Sequence, residues 1–203
     1  MRQGSTDLNP HRMIYLRSLL FAVLFQSMTQ ALGQSTFIKG GINLSSLAGL
    51  SETGSLVGYH FAVGGLKPLS DNLSIKHELV FSKQGTKVTD DFKLVLYYLN
   101  VPILIDLRLG KDFSLNAGPQ LGLALRALEK GGLDGDMTAN LTTLDISACL
   151  GANYLISQRL FAEARFNMGL TNLSRVPESD SFRNAVFQGS VGYYFSRKQQ
   201  PSE

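Results

Sequence analysis

The clearest alternation of side chains in the sequence is Val95-Leu96-Tyr97-Tyr98-Leu99-Asn100-Val101-Pro102-Ile103-Leu104-Ile105-Asp106-Leu107. Every odd position in it is apolar, whereas the even positions hold Tyr98, Asn100, Pro102 and Asp106 among two leucines. A period of two residues indicates a β-strand whose two faces meet different environments.

Seven other stretches alternate in the same way, which predicts eight strands at 36–47, 54–68, 73–84, 93–108, 113–126, 141–155, 160–172 and 185–196. The connections at 69–72, 109–112 and 156–159 are tight and rich in turn-forming residues. The connections at 48–53, 85–92, 127–140 and 173–184 are longer. Tight and longer connections alternate regularly along the chain. This pattern predicts an all-β, eight-stranded antiparallel up-and-down transmembrane β-barrel with short periplasmic turns and longer extracellular loops.

The composition agrees with a single domain of this kind. The 203 residues are 44% hydrophobic and 17% charged, and no window approaches the ~18 apolar residues of a membrane-spanning helix. Barrel strands hide their hydrophobicity by alternation. Cys149 is the single cysteine, which excludes an internal disulfide and a cysteine metal site. No basic cluster in the sequence indicates a nucleic-acid partner.

Residues 1–33 have the pattern of a secretion signal. Arg12 and Arg17 precede the apolar run 19–25, and Ala31-Leu32-Gly33 supplies small residues for cleavage. The mature chain would begin at Gln34, and Met13 is an alternative start. An amphipathic or anchoring helix is the other interpretation of this segment. Removal of 1–33 takes away three arginines and one aspartate, which leaves a net charge of +1.

One phase of the alternation forms a nearly uncharged face, which we assign to the lipid. Aromatic residues gather toward both strand ends of this face, as expected of a girdle at two membrane interfaces. They are Phe113, Tyr154, Tyr193 and Phe195 near the short turns, and Phe81, Tyr97 and Phe187 near the long loops.

The opposite phase collects polar residues and is assigned to the barrel interior. Its charged members are Lys39, Lys76, Arg126 and Arg165 against Glu78, Asp106, Asp145 and Glu163. The interior of an eight-stranded barrel is just wide enough for side chains to fill. Because a buried ion needs a partner, these equal numbers predict a closed network of ion pairs and hydrogen bonds.

Three residues depart from a regular strand. Pro102 and Pro119 lack the backbone donor of a strand ladder, so we expect bulges or kinks there. The alternation places His77 toward the lipid, which predicts either an interfacial position or a slip in the register of the third strand.

Seven short motifs in this order resemble the PorT-like outer-membrane β-barrel family of Bacteroidota. They are IKGGINLS (38–45), KPLSDNL (67–73), ELVFSKQG (78–85), YLNVP (98–102), AGPQLG (117–122), ARFNMGLTN (164–172) and GYYF (192–195). The resemblance covers roughly 36–196, which leaves a short tail at 197–203. It implies an integral outer-membrane barrel, and the namesake of the family is associated with type IX secretion. It implies no catalytic, cofactor or metal residue.

We therefore expect a non-enzymatic protein of the cell outer membrane, with a structural or partner-binding role through its extracellular loops, and the resemblance adds an accessory role in a secretion system of the type IX kind as an option. Its expected partners are outer-membrane lipids and lipopolysaccharide, the barrel assembly machinery during insertion, and an envelope protein at the loops. Phe195 would supply the aromatic residue near the chain end that is recognised during assembly.

Two alternatives belong to other functional classes. An outer-membrane lipid-modifying enzyme would need an acid or base near the membrane interface, for which His60 with Glu78 and Lys76 is the candidate. A lipocalin-like ligand-binding barrel would need an apolar interior and a polar exterior, the reverse of the faces assigned above. A diffusion pore would need about twice as many strands.

Overall fold

The computed structural model describes residues 35–49, 54–87, 92–131, 135–136, 138, 142–173 and 182–196. The predicted secretion signal, its cleavage site and the tail 197–203 lie outside these residues, as do the middle portions of the long connections.

Eight long strands alternate inward and outward side chains along their length. They are β1 (Ser35–Ala48), β2 (Gly54–Pro68), β3 (Leu73–Lys87), β4 (Lys93–Arg108), β5 (Phe113–Lys130), β7 (Leu144–Leu155), β8 (Leu160–Gly169) and β9 (Arg183–Ser196). A two-residue strand, β6 (Gly135–Asp136), pairs with β5 beyond the barrel wall.

All neighbouring strands are antiparallel, and the sheet closes on itself. The order is β4-β3-β2-β1-β9-β8-β7-β5, with β4 also paired to β5. Strand β1 joins β9 along nearly its whole length, from Thr36–Ser196 to Ala48–Arg183. The predicted eight-stranded antiparallel barrel is therefore confirmed, and closure leaves the long strands without a free edge.

The strand ends differ from the predicted ones mainly on the long-loop side. Strands β3 and β5 continue to Lys87 and Lys130, three and four residues beyond the predicted ends, because each keeps pairing with β4. Strand β7 begins at Leu144 and β8 ends at Gly169, so both are three residues shorter than predicted. On the long-loop side the paired wall is thus higher at β2 to β5 than at β7 and β8.

Of the bulges or kinks expected at the two prolines, the bulges were wrong, and the kinks stay a prediction. Around Pro102 the β3–β4 ladder omits two pairs but resumes in the same register, from His77–Ile103 to Val80–Asn100. Pro119 stays opposite Ala148 in an unbroken β5–β7 register. A missing N–H removes a hydrogen bond without adding a residue, so the register survives.

His77 lies on the outward face, and the β2–β3 register does not slip at this residue. It is opposite Gly65, and the β2–β3 register is continuous from His60 to Pro68. A Cβ on Gly65 would lie 2.9 Å from His77 Nε2. The glycine therefore provides the space for the imidazole ring on the outside of the barrel.

The two faces of the barrel wall have opposite chemistry. Large apolar side chains are exposed on the outside, among them Ile42, Phe61, Ile103, Leu150 and Phe187. The buried side chains of the interior are largely polar or charged. This distribution is the reverse of a soluble protein and fits a wall that faces hydrocarbon.

Candidate functional site

Five ionic side chains meet at the centre of the barrel, and we call them the charge cluster. They are Lys39 from β1, Lys76 and Glu78 from β3, and Glu163 and Arg165 from β8. These three strands are not neighbours in the sheet, so the side chains meet across the lumen. The side chains of all five are at most 1% exposed.

Each carboxylate of the charge cluster is held by all three cations. Arg165 donates to both Glu78 oxygens, at 2.8 and 2.7 Å, and Lys39 and Lys76 lie 2.9 and 3.3 Å from them. Glu163 is 2.5 Å from Lys39 and 2.8 Å from Arg165, and it also pairs with Lys76. Such bidentate and shared pairs offset the several kcal/mol that each ion loses on burial.

An aromatic plug closes the short-turn side of the charge cluster. Phe37, Phe161 and Tyr194 pack together, with the Phe37 and Phe161 rings 5.5 Å apart and perpendicular. Lys76 Nζ lies 5.2 Å from the Phe37 ring centre and 5.7 Å from that of Phe161, in cation–π geometry. The plug therefore adds a further contact to a cation that is already paired.

The other predicted interior acids lie outside the charge cluster. Asp106 is half-buried and accepts from Ser114 at 3.0 Å and from Asn153 at 3.2 Å, while Asn153 in turn accepts from Lys76 at 3.1 Å. Asp145 is buried at the opposite end, and within the described part of the chain it makes no ion pair. The structure thus brings together five of the eight predicted residues.

The interior position predicted for Arg126 was wrong, because a β-bulge changes the phase of β5. Tyr97 pairs with Arg126 and Tyr98 with Ala124, which leaves Leu125 as an extra residue. Both Leu125 and Arg126 are exposed, and the Arg126 side chain is 59% exposed beside Asp136, 3.5 Å away. One inserted residue moves all later side chains to the opposite face.

His60 belongs to a layer of hydrogen bonds on the long-loop side of the charge cluster. Its Nδ1 is 2.7 Å from Asn43 Oδ1 and its Nε2 is 2.7 Å from Ser190 Oγ. Gln188 also donates to Asn43 Oδ1, at 3.2 Å. The ring is fully buried, so it is sealed from the lipid, and neither nitrogen contacts Glu78.

A second plug closes the interior toward the long loops. It is apolar and consists of Leu47, Leu96, Tyr98, Ala124, Ala127 and Leu173. Together with the aromatic plug, it encloses the polar layers from both ends. The aromatic plug was not predicted from the sequence. The alternation was the available signal, because it puts Phe37 and Tyr194 on the inward face, next to the outward residues Ile38 and Tyr193.

The predicted girdle residues all point outward. Phe81 stacks on Tyr97 with ring centres 6.2 Å apart, and the ring centres of Tyr193 and Phe195 are 5.8 Å apart. Phe113 and Tyr154 face each other across the β5–β7 pair. Phe187 is exposed opposite Leu44.

The filled interior has the chemistry of a structural core. No set of three or more His, Cys, Asp or Glu side chains in the described ranges is arranged to hold a metal ion. The same ranges contain no helix long and apolar enough to cross a membrane. The paired charges hold β1, β3 and β8 together across the lumen.

Known barrels share this architecture. The chain is similar to Neisserial surface protein A, with 14% identity, a TM-score of 0.58 and coverage of 79% of this chain and 97% of that one. It is also similar to Ail, the attachment invasion locus protein of Yersinia pestis, with 12% identity, a TM-score of 0.52 and coverage of 80% and 99%. No curated protein sequence matches the chain.

Sequence comparison identifies the family. Residues 33–175, most of the chain, match the family described as "Outer membrane protein beta-barrel domain". The match includes every strand from β1 to β8, and with them the whole charge cluster. The protein belongs to the outer membrane protein beta-barrel domain family.

Proposed function

We propose that the protein is an integral, non-enzymatic component of the cell outer membrane. In this proposal a cleaved signal directs it through the inner membrane, and the short turns face the periplasm. The long loops face outward, where they contribute to envelope structure or contact a partner protein. Rigid scaffolds commonly present functional loops in this way.

The observation that carries the proposal is the inversion of the two faces. Leu150, in the middle of β7, is 63% exposed, whereas Arg165 on the adjacent strand is 1% exposed. An exterior of large apolar side chains is costly in water and stable in hydrocarbon. The interior ions, in turn, are paired within the protein.

The geometry does not favour the alternative functions. A lipid-modifying enzyme would need His60 near the membrane interface, but its ring is enclosed by Asn43 and Ser190. A lipocalin-like barrel would need an apolar cavity where the charge cluster lies. A diffusion pore would need an open lumen, whereas the two plugs fill it with packed side chains at both ends.

The PorT-like branch remains a prediction that depends on the seven sequence motifs. An accessory role in type IX secretion belongs to the namesake of that branch, and we assign no part of this barrel to it. The assembly machinery and outer-membrane lipids are expected partners of any protein that folds into this membrane.

Two matched arginine substitutions test the proposal. Leu150 lies at mid-strand on the outer face, and Leu69 is an equally apolar, exposed residue in the turn after β2. Leu150→Arg should destabilise the barrel by about 2–4 kcal/mol in bilayers, because it places a charge near the membrane midplane. Leu69→Arg should cost little. Urea unfolding in phospholipid vesicles measures both.

The full chain, expressed in a bacterium with an outer membrane, should fractionate with that membrane. It should also show the heat-dependent change of gel migration of a folded barrel. Recovery in the soluble periplasm, or equal stability of the two arginine variants, would contradict the proposal.

A further inference from the structure

Three lysines stand side by side at the long-loop ends of β3, β4 and β5. Lys87 pairs with Lys93, and Lys93 pairs with Lys130. Directly opposed residues of antiparallel strands share a face, and like charges in this position destabilise a sheet. Anions near a row of three lysines would therefore relieve an unfavourable interaction.

A second row lies four residues nearer the barrel centre. Lys83 pairs with Tyr97, and Tyr97 pairs with Arg126. Lys83 also lies over the Tyr59 ring, with Nζ 5.9 Å from its centre. At about 3.3 Å per residue, the two rows are about 13 Å apart along the strands.

These five cations, Lys83, Lys87, Lys93, Arg126 and Lys130, form what we call the cationic surface. They point outward from the wall. The bulge at Leu125 creates this arrangement, because it turns Arg126 and Lys130 to the face that already carries the lysines of β3 and β4.

Few carboxylates reach the cationic surface. Within the described part of the chain its single ion pair joins Arg126 Nε to Asp136 at 3.5 Å. Asp136 also accepts from the backbone N–H of Thr138 at 3.0 Å and from its hydroxyl. Asp90 and Asp91 belong to the β3–β4 connection and lie outside the described residues. The described surface thus has an excess of positive charge.

An apolar groove on the outer wall borders the β3–β4 part of the cationic surface and extends from there across β2 and β1 toward β9 and the short turns. It is an outer depression of about 610 Å³ lined by residues of β1 to β4, β8 and β9. Phe81 and Leu99 border it, and each lies two residues below the second row, on the strands of Lys83 and Tyr97. Cations above an apolar groove are complementary to one amphiphile with phosphates at its head and acyl chains beneath.

We propose that the cationic surface binds the phosphate groups of an outer-leaflet glycolipid, the bisphosphorylated lipid A portion of lipopolysaccharide. Arg126 offers a planar fork to one phosphate, and the lysines supply point charges. The acyl chains lie along the groove of Phe81 and Leu99. The inference depends on the proposed function, since it requires the long loops to face outward.

The test uses the full chain refolded in a zwitterionic detergent. Bisphosphorylated lipid A and its dephosphorylated form are titrated, and native mass spectrometry measures the bound fraction. The triple variant Lys87→Gln/Lys93→Gln/Lys130→Gln should bind the bisphosphorylated lipid about tenfold more weakly, since each exposed cation contributes a factor of about two. Raised salt should reduce the preference of the wild type.

The control removes the same charge from the short-turn side of the barrel, as Lys67→Gln/Lys111→Gln/Arg159→Gln. These exposed residues lie in or beside the short turns, and the control should retain wild-type affinity. Equal affinity of wild type and the test variant would overturn the inference. So would a salt-independent preference of the wild type, or equal competition by inorganic phosphate or by a soluble sulfated polysaccharide.

Failure of this inference can be separated from failure of the proposed function. The proposed function stands, whatever the lipid titration shows, if two results are found. The barrel must fractionate with the outer membrane, and Leu150→Arg must lower the free energy of unfolding more than Leu69→Arg does. If the chain is found in the periplasm, both fail.

Discussion

Cations occupy two contrasting environments in this barrel. Lys39, Lys76 and Arg165 are buried in the lumen, where two glutamates satisfy them. Lys87 and Lys130 are exposed on the outer wall and have only other cations beside them in the row. The two environments differ in the origin of the compensating negative charge. Inside, the protein must supply it, whereas the outside can take it from lipid, solvent or salt.

Removal of an interior carboxylate should have the largest effect. Glu78→Gln keeps the shape of the side chain but leaves three buried cations with Glu163 alone. Breaking a buried ion pair from one side costs about 3–5 kcal/mol. Urea unfolding in vesicles should show a loss of this size. Asp136→Asn, which removes the carboxylate of the cationic surface, should shift the unfolding curve far less, because this carboxylate is exposed. If both variants lost the same free energy of unfolding, the proposed difference between the buried and the exposed cations would be wrong.

A pair of glycines tests the space available on each side of the wall. A Cβ on Gly41 would lie 1.9 Å from the Gly189 carbonyl oxygen, whereas a Cβ on Gly189 would meet no atom within 4 Å. Gly41→Ala should therefore destabilise the barrel by about 1–3 kcal/mol. Gly189→Ala should be neutral or stabilise by up to about 1 kcal/mol. Urea unfolding in vesicles measures both variants. If Gly189→Ala were the more destabilising of the two, the close packing at Gly41 and the open space at Gly189 would be contradicted.

The smallest effect concerns the acid of the cationic surface. Hydrogen bonds from Thr138, with a minor contribution from Arg126, lower the pKa of Asp136 below its ordinary value of 3.8. A carboxyl group with a lowered folded-state pKa stabilises above its unfolded pKa, and this is lost as pH falls through the folded value. NMR of the Thr138 amide should show a transition below pH 3.8. A transition above pH 3.8 would contradict the hydrogen bonds from Thr138 to the Asp136 carboxylate.

Much of the fold could be predicted because alternation is a local property. The stretch 95–107 and its seven counterparts contain the strand positions and both faces. The bulge at Leu125 was missed because it depends on which β4 residue lies opposite, and Tyr97 and Tyr98 are indistinguishable by pattern. Arg126 was consequently assigned to the wrong face.

The candidate site was predictable in composition but not in pairing. Alternation alone placed Lys39, Glu78 and Arg165 on one face. That β1, β3 and β8 meet at one level depends on the stagger of all eight strands. Asp145 shows the same limit, because it shares the interior but lies away from the charge cluster.

The proposed function requires that one face of each strand meets hydrocarbon and that the other is sealed inside the barrel. Ile103 and Leu104 are the sharpest test of this difference, because they are consecutive in the stretch 95–107 and are 53% and 0% exposed. With methyl-labelled protein in lipid nanodiscs, nuclear Overhauser effects to the acyl chains should appear for Ile103 and be absent for Leu104. Acyl-chain contacts at both residues, or water contacts at Ile103, would contradict the account.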